Sequence, residues 1–320
     1  MPRLSIVIPC LSENEQFENT LISVLRNRPR DCEVLVIYPG TYPDPYDLEG
    51  EVCFVETRSE ASLLELVHVG WARSTGEVVH ILQCGMQVDE GWTDAILARF
   101  DKLSIGSVSP LVERQSEDSG RIVAGVRHGL LGRKLVYRAS SASPQTAPTI
   151  LGPTLAAGFY RRAALEEVRG FDAVVGDRYG DVDVALALES AGYDSVCEPS
   201  SLVTATRTEN QPLGFADARR AERLFWKHLP PHEKTGRIFL HLMTVVAEFL
   251  FPFPGPRRAV RLLGRLVGSL EPRIPRRGQS QEVGHVGPPK PASMSHPDAR
   301  SRNSSSDDRQ NPPRRRRVVA

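Results

Sequence analysis

Residues 4–27 read LSIVIPCLSENEQFENTLISVLRN, and the fold turns on how this stretch divides. Leu4–Ile8 is a short β-branched run, too brief for a signal peptide and followed at once by the polar SENEQ. Glu15–Arg26 then carries Phe17, Leu21, Ile22, Val24 and Leu25 at helical spacing. A buried strand leading into an amphipathic helix is the opening of a β-α-β unit.

The alternation continues outward. Val34–Ile37 and Val52–Val55 predict two further strands, Ser59–Arg73 a helix, Val78–Leu82 a strand and Trp92–Phe100 a helix. This order predicts a mostly parallel central sheet covered by helices on both faces. Ligands then bind beyond the carboxyl ends of the strands, here near Pro9, Tyr38 and Gln83. After residue 104 the pattern loosens. Residues 112–150 are polar, with QSEDSG read as a turn and SSASPQTAP as a loop. LGPTLAAGFYRRAAL is a glycine-rich approach to a helix, GDVDVALALESAGY is helical in its second half, and helices are expected at Ala216–His228 and Arg257–Leu270.

The 320 residues suffice for one large domain, and 40% hydrophobic with 25% charged residues is an ordinary globular balance. A net charge of +1 supplies no global field for nucleic acid. Five scattered cysteines without a Cys-x-x-Cys pair read as reduced thiols of a cytoplasmic protein and argue against zinc. IFLHLMTVVAEFLFPF at 238–253 is interrupted by His241 and Glu248 and reads as a packed or surface-lying helix. Its Phe and Leu residues beside arginines leave peripheral membrane contact through 238–270 open. From Pro272 the composition predicts a disordered basic tail ending in Arg314–Arg317. The expected domains are therefore 1–230, a helical extension at 231–271 and the tail at 272–320.

Four segments in order resemble a family 2-type (GT-A fold) glycosyltransferase over roughly residues 3–228: the opening stretch, VGWARSTGEVVHILQ, GFYRRAALEEVRGFD and YGDVDVALALESAGYDSVCEP. The resemblance implies a nucleotide-sugar donor, a glycan, lipid or other hydroxyl acceptor, and inversion at the sugar carbon. In that family a divalent Mn or Mg held by Asp-x-Asp neutralises the leaving diphosphate, and a further carboxylate takes the acceptor's proton. The implied donor contacts are Pro9, Ser12, Tyr38, Gln83 and Gly85; Gly158, Arg161 and Asp183 fall on the acceptor side, and Asp181 is the implied general base. Asp181 and Asp183 also suit the first turn of a helix without any chemistry.

The sequence departs from the family pattern where charge matters. Asp-x-Asp falls on Gln83-Cys84-Gly85, the acidic end of the second strand on Tyr38-Pro39-Gly40, and no histidine stands near Thr204–Thr206. An amide, a thiol and a glycine are poor partners for a hard cation, so no metal ligand is assigned. Three readings follow: an enzyme using cations such as Arg73, Arg161, Arg162 or Arg207; a non-catalytic binding or scaffolding module; and a displaced metal site at Asp89 and Glu90, which otherwise cap the next helix. A plain Rossmann protein is disfavoured, because CLSENE contains no glycine. Trp226, with Arg219, Arg220 and Arg223, either closes over the site or belongs to the core, the reading its spacing from Leu224 and Leu229 supports.

Overall fold

The computed structural model describes residues 3–12, 14–40, 44, 47–48, 50–114, 121–129, 131–138, 146–206, 214–229, 234–250 and 255–273. Its strands are β1 (Leu4–Pro9), β2 (Cys32–Pro39), β3 (Cys53–Thr57), β4 (Val78–Leu82), β5 (Met86–Val88), β6 (Ile105–Arg114), β7 (Arg121–Gly129), β8 (Gly132–Tyr137), β9 (Ala157–Arg161) and β10 (Asp194–Ala205). Its helices are α1 (Glu15–Asn27), α2 (Leu63–Arg73), α3 (Asp94–Arg99), α4 (Arg162–Glu167), α5 (Gly180–Ser190), α6 (Phe215–His228), α7 (Lys234–Leu250) and α8 (Pro256–Leu270). Residues 1–281 form one compact unit.

All six residues of β1 are buried, which requires cover on both faces. Side chains alternate across the strand, and the two faces bury different partners. Leu4, Ile6 and Ile8 share a core with Phe17, Leu21 and Val24 of α1, while Val7 meets Leu64, Leu66 and Val67 of α2. Both helices begin where their caps dictate. The Asn14 side chain accepts the Phe17 N–H, and Ser62 with Glu65 forms a reciprocal capping box that satisfies two otherwise orphaned donors.

Strands β3, β2, β1 and β4 are parallel, as the alternation predicts. Beyond β4 the sheet becomes mixed. Strand β9 lies antiparallel between β4 and β6, β6 runs parallel to β10, and β5 closes the edge antiparallel to β10. The predicted polar stretch after residue 112 instead begins with the end of β6 and contains the β7–β8 hairpin. QSEDSG and most of SSASPQTAP lie outside the described residues. The predicted C-terminal helices are α6, α7 and α8, with α8 laid closely along α6: a Cβ on Gly264 would stand 2.4 Å from the Phe215 carbonyl. The expected tail lies outside the described residues from 274 onward. No helix among the described residues is long and apolar enough to cross a membrane.

Candidate functional site

A cleft of about 520 Å³ opens beyond the carboxyl ends of β1 and β4, within the usual size of a small-ligand site. Pro9 and Ser12 form one wall, Gln83 and Cys84 the floor, and Thr154 and Ala156 the opposite side. Three of the five predicted donor contacts, Pro9, Ser12 and Gln83, therefore line it.

The floor is a tight turn. The Met86 N–H donates to the Gln83 carbonyl at 3.2 Å, and Gly85 at the third position has φ +86°, which a glycine adopts without strain. Gly85 itself serves as a tie. Its N–H donates to Thr20 Oγ1 at 2.9 Å, and its carbonyl accepts from Thr206 N at 2.9 Å and Thr206 Oγ1 at 3.0 Å. The strand end that would offer carboxylates thus knits α1 to the end of β10. Cys84 Sγ donates to the Pro9 carbonyl at 3.5 Å, and contact with the Cys10 thiol, reinforced by burial, drives the Cys84 thiol far above its usual pKa.

Among the described residues, no aspartate or glutamate lines the cleft and no cluster of metal-ligating residues exists. An amide oxygen, a protonated thiol and a backbone turn do not fit a hard divalent cation. The charges that reach the cleft are cationic, Arg114 at the end of β6 and Arg133 on β8.

Arg133 is held from behind. Its Nε donates to Asp181 Oδ1 at 3.0 Å and Oδ2 at 2.9 Å, and its Nη2 to Oδ2 at 2.7 Å. Burial opposes the charged guanidinium, but the Asp181 carboxylate outweighs it and holds the Arg133 pKa above its ordinary value. Asp181 sits in the first turn of α5, 1% exposed, and also accepts the N–H groups of Leu155 and Val182. It lies directly behind the wall at residues 154–156 and does not itself face the cleft. The sequence reading missed Arg133, whose only signal is a basic residue within an unremarkable GRKLVY.

The other expected positions lie outside the cleft lining. Tyr38 is buried in the core, edge-on to Phe54, with its hydroxyl donating to Glu56 at 3.3 Å. Gly85 is a turn residue outside the lining. Gly158 lies in mid-sheet, paired with Ile81, its carbonyl bound to His80 Nδ1 at 3.2 Å. Because β9 runs against β4, its last residue Arg161 pairs with Val78, at the sheet end away from the cleft. There Arg161 donates to the carbonyls of Phe100, Lys102 and Ile105, and Arg162 to Glu166 and the Ser74 carbonyl. Arg73, in the last turn of α2, precedes the start of β4 at that same end, and Arg207 lies outside the described residues.

Asp183 is buried and absent from the cleft lining. Its Oδ1 takes Lys227 Nζ at 2.8 Å and His228 Nε2 at 2.7 Å, fastening α5 to α6. Asp89 and Glu90 are exposed and precede Thr93, the N-cap residue of α3, so they do not cap that helix, and they belong to no metal-ligating cluster among the described residues. Trp226 is half-buried and joins no core cluster: it donates to Glu222 at 2.9 Å within α6, and the Arg273 guanidinium lies 5.4 Å from its ring.

No protein-family model matches the chain, and no curated protein matches it in sequence. Solved structures match its fold. GalNAc-T7, crystallised with UDP, GalNAc and Mn²⁺, aligns with TM-score 0.57 and 15% identity over 71% of this chain and 48% of that one. S. aureus TarS aligns with TM-score 0.52 and 13% identity over 78% and 44%, and its 1–349 fragment with TM-score 0.51 and 14% identity over 78% and 72%. The chain spans about half the length of GalNAc-T7. At these identities the likeness establishes architecture, and the architecture is the GT-A glycosyltransferase fold.

Proposed function

We propose that the cleft binds a nucleotide-activated sugar and that the chain transfers the sugar to an acceptor hydroxyl with inversion, Arg133 and Arg114 meeting the diphosphate where a carboxylate-held metal is usual. One observation carries this reading: in a GT-A fold, the described residues that line the cleft beyond the strand ends include two arginines and no carboxylate. A guanidinium matches phosphate oxygens with two parallel N–H donors and needs no cation to bridge it.

In this reaction the acceptor oxygen attacks the anomeric carbon as the sugar–phosphate C–O bond breaks. The electron pair leaves on the diphosphate, whose growing charge the two arginines offset. The acceptor proton needs a base, and Asp181 is the carboxylate behind the wall. Arg133 occupies both its oxygens in the ligand-free chain. A diphosphate that draws Arg133 forward releases Asp181 to take that proton.

Calorimetric titration with UDP, GDP and their sugar conjugates, with and without Mn²⁺, tests the reading. Binding of equal strength with and without the metal supports it. Binding that strengthens with Mn²⁺ overturns the arginine assignment. Absence of binding removes the donor site and leaves a non-catalytic binding module.

A further inference from the structure

Helices α7 and α8 bury polar side chains beside Val245 and expose most of their large apolar ones. The face that α7 turns to the protein carries His241, 1% exposed and bonded to Glu222 at 2.9 Å, together with Glu248, which pairs with Arg261 and Arg265. The buried face of α8 carries Gly264, Arg265 and Gly268. The outward faces are apolar: Phe239, Leu242, Met243, Val246 and Leu250 along α7, and Val260, Leu263, Leu266 and Leu270 along α8. These recur at three- and four-residue spacing and so form continuous stripes. Of sixteen exposed large hydrophobic side chains among the described residues, ten lie on these two helices, each between 47% and 86% exposed. A patch of this kind marks a surface that binds something.

Charge identifies the occupant. Residues 234–273 hold seven Lys and Arg against two Glu. Neither glutamate is exposed: Glu248 is paired as above, and Glu271 pairs with Arg219 and Arg223. Arg237 near the start of α7 and Arg257 near the start of α8 are exposed. A second copy meeting this face would set cations against cations with no exposed carboxylate on either helix to offset them. An anionic bilayer offers apolar depth for the stripes and phosphate charge for the flanking arginines.

We infer that the paired outward faces of α7 and α8 dock on the surface of an anionic membrane, lying in its interface and not crossing it. The opposite, buried face of α8 is tied to the cleft's framework. Arg265 Nη2 donates to the Leu131 carbonyl at 3.0 Å, one residue before β8, the strand that carries Arg133. Docking stands whether or not the cleft is catalytic.

Sedimentation of the full chain with vesicles tests it, using phosphatidylcholine alone and phosphatidylcholine mixed with phosphatidylglycerol. The chain is expected to sediment with the mixed vesicles, and the variant Phe239→Ser/Leu242→Ser/Leu263→Ser/Leu266→Ser to lose at least about tenfold in partitioning, with its thermal midpoint retained. The variant keeps every basic residue, including Arg314–Arg317, so its loss reports the apolar face alone. Equal sedimentation of variant and parent overturns the inference, as does equal binding to both vesicle types. Absence of vesicle binding also overturns it, and a concentration-dependent dimer in light scattering that the variant abolishes then identifies a second copy as the occupant.

Discussion

Arg133 and Asp181 face each other behind the wall of the cleft, guanidinium against carboxylate, with three N–H···O contacts between 2.7 and 3.0 Å. The arginine belongs to a hairpin strand and the aspartate to the first turn of a helix 48 residues later, so the contact joins two units that no local pattern connects. It holds a positive charge at the cleft, and the Arg133 guanidinium contacts both oxygens of the buried acid.

Removing both partners separates binding from folding. Replacing a buried ion pair by apolar residues is often neutral for stability, so Arg133→Met/Asp181→Leu is expected to fold normally. It is also expected to weaken UDP binding by about 1.5–3 kcal/mol, roughly ten- to a hundredfold, as loss of a charge-assisted phosphate contact does. Calorimetry on the purified variant checks it, and unchanged affinity removes Arg133 from the donor site.

Asp181→Asn probes the acid alone. The amide oxygen still accepts from Arg133 but takes no proton, so donor affinity is expected to hold while turnover falls by about a hundredfold or more. Equal turnover in a single-turnover assay rules out the base role.

Asp183 behaves differently because helix geometry sends it elsewhere. Residues two apart on a helix are about 200° apart, so Asp181 meets β8 while Asp183 meets α6. Lys227 and Asp183 are each 1% exposed, and deleting Asp183 leaves the buried Lys227 with Asp172, 20% exposed and 2.7 Å away, in place of two carboxylates. Asp183→Ala is expected to cost about 3–5 kcal/mol in urea denaturation with UDP affinity unchanged. A stable variant with lost acceptor binding would restore its place on the acceptor side.

The first half of the fold was legible because each element announces itself locally. The buried run at Leu4–Ile8, the Asn14 cap and the stripe through Phe17, Leu21 and Val24 all agree. The β7–β8 hairpin was not, because RIVAGVRHG and GRKLVY interleave glycine and cations with their apolar residues, and only the pairing of β7 to β6 and of β8 to β7 makes them strands. The cleft was half legible. Pro9, Ser12 and Gln83 follow from strand ends alone, whereas Arg133 comes from a strand unseen in the sequence. Arg161 was misplaced because nothing in GFYRR reveals that β9 runs backwards.

The thiols offer a check on the cleft floor. Cys53 is exposed, while Cys10 and Cys197 are buried. The Cys84 thiol is pushed up by Cys10 and by burial, and that of Cys197 is raised to about 12 by burial. Thiolate is the reactive form, so a maleimide at neutral pH is expected to label Cys53 first and leave Cys84 nearly untouched. Mass mapping after brief labelling decides it, and rapid labelling of Cys84 would mean that the floor is open.

His80 sets an acid limit on stability. Its ring lies 3.6 Å from that of Phe159, stacked in the buried centre of the sheet, and burial lowers its pKa from 6.5 to about 3. The folded chain therefore holds it neutral while the unfolded chain protonates below pH 6.5. Its contribution is fully present above that pH and declines as pH falls towards 3, at about 1.4 kcal/mol per pH unit once the unfolded form is charged. The carboxylates Glu198 and Glu222, whose pKa values are lowered from 4.5, add their own loss only below about that pH. Urea denaturation between pH 6.5 and 5 therefore reads His80 together with His128, whose pKa burial lowers to about 4, and the His80 variant separates the two. His80→Leu is expected to flatten the slope in this window by about one proton's worth, and an unchanged slope would place the acid sensitivity at another group.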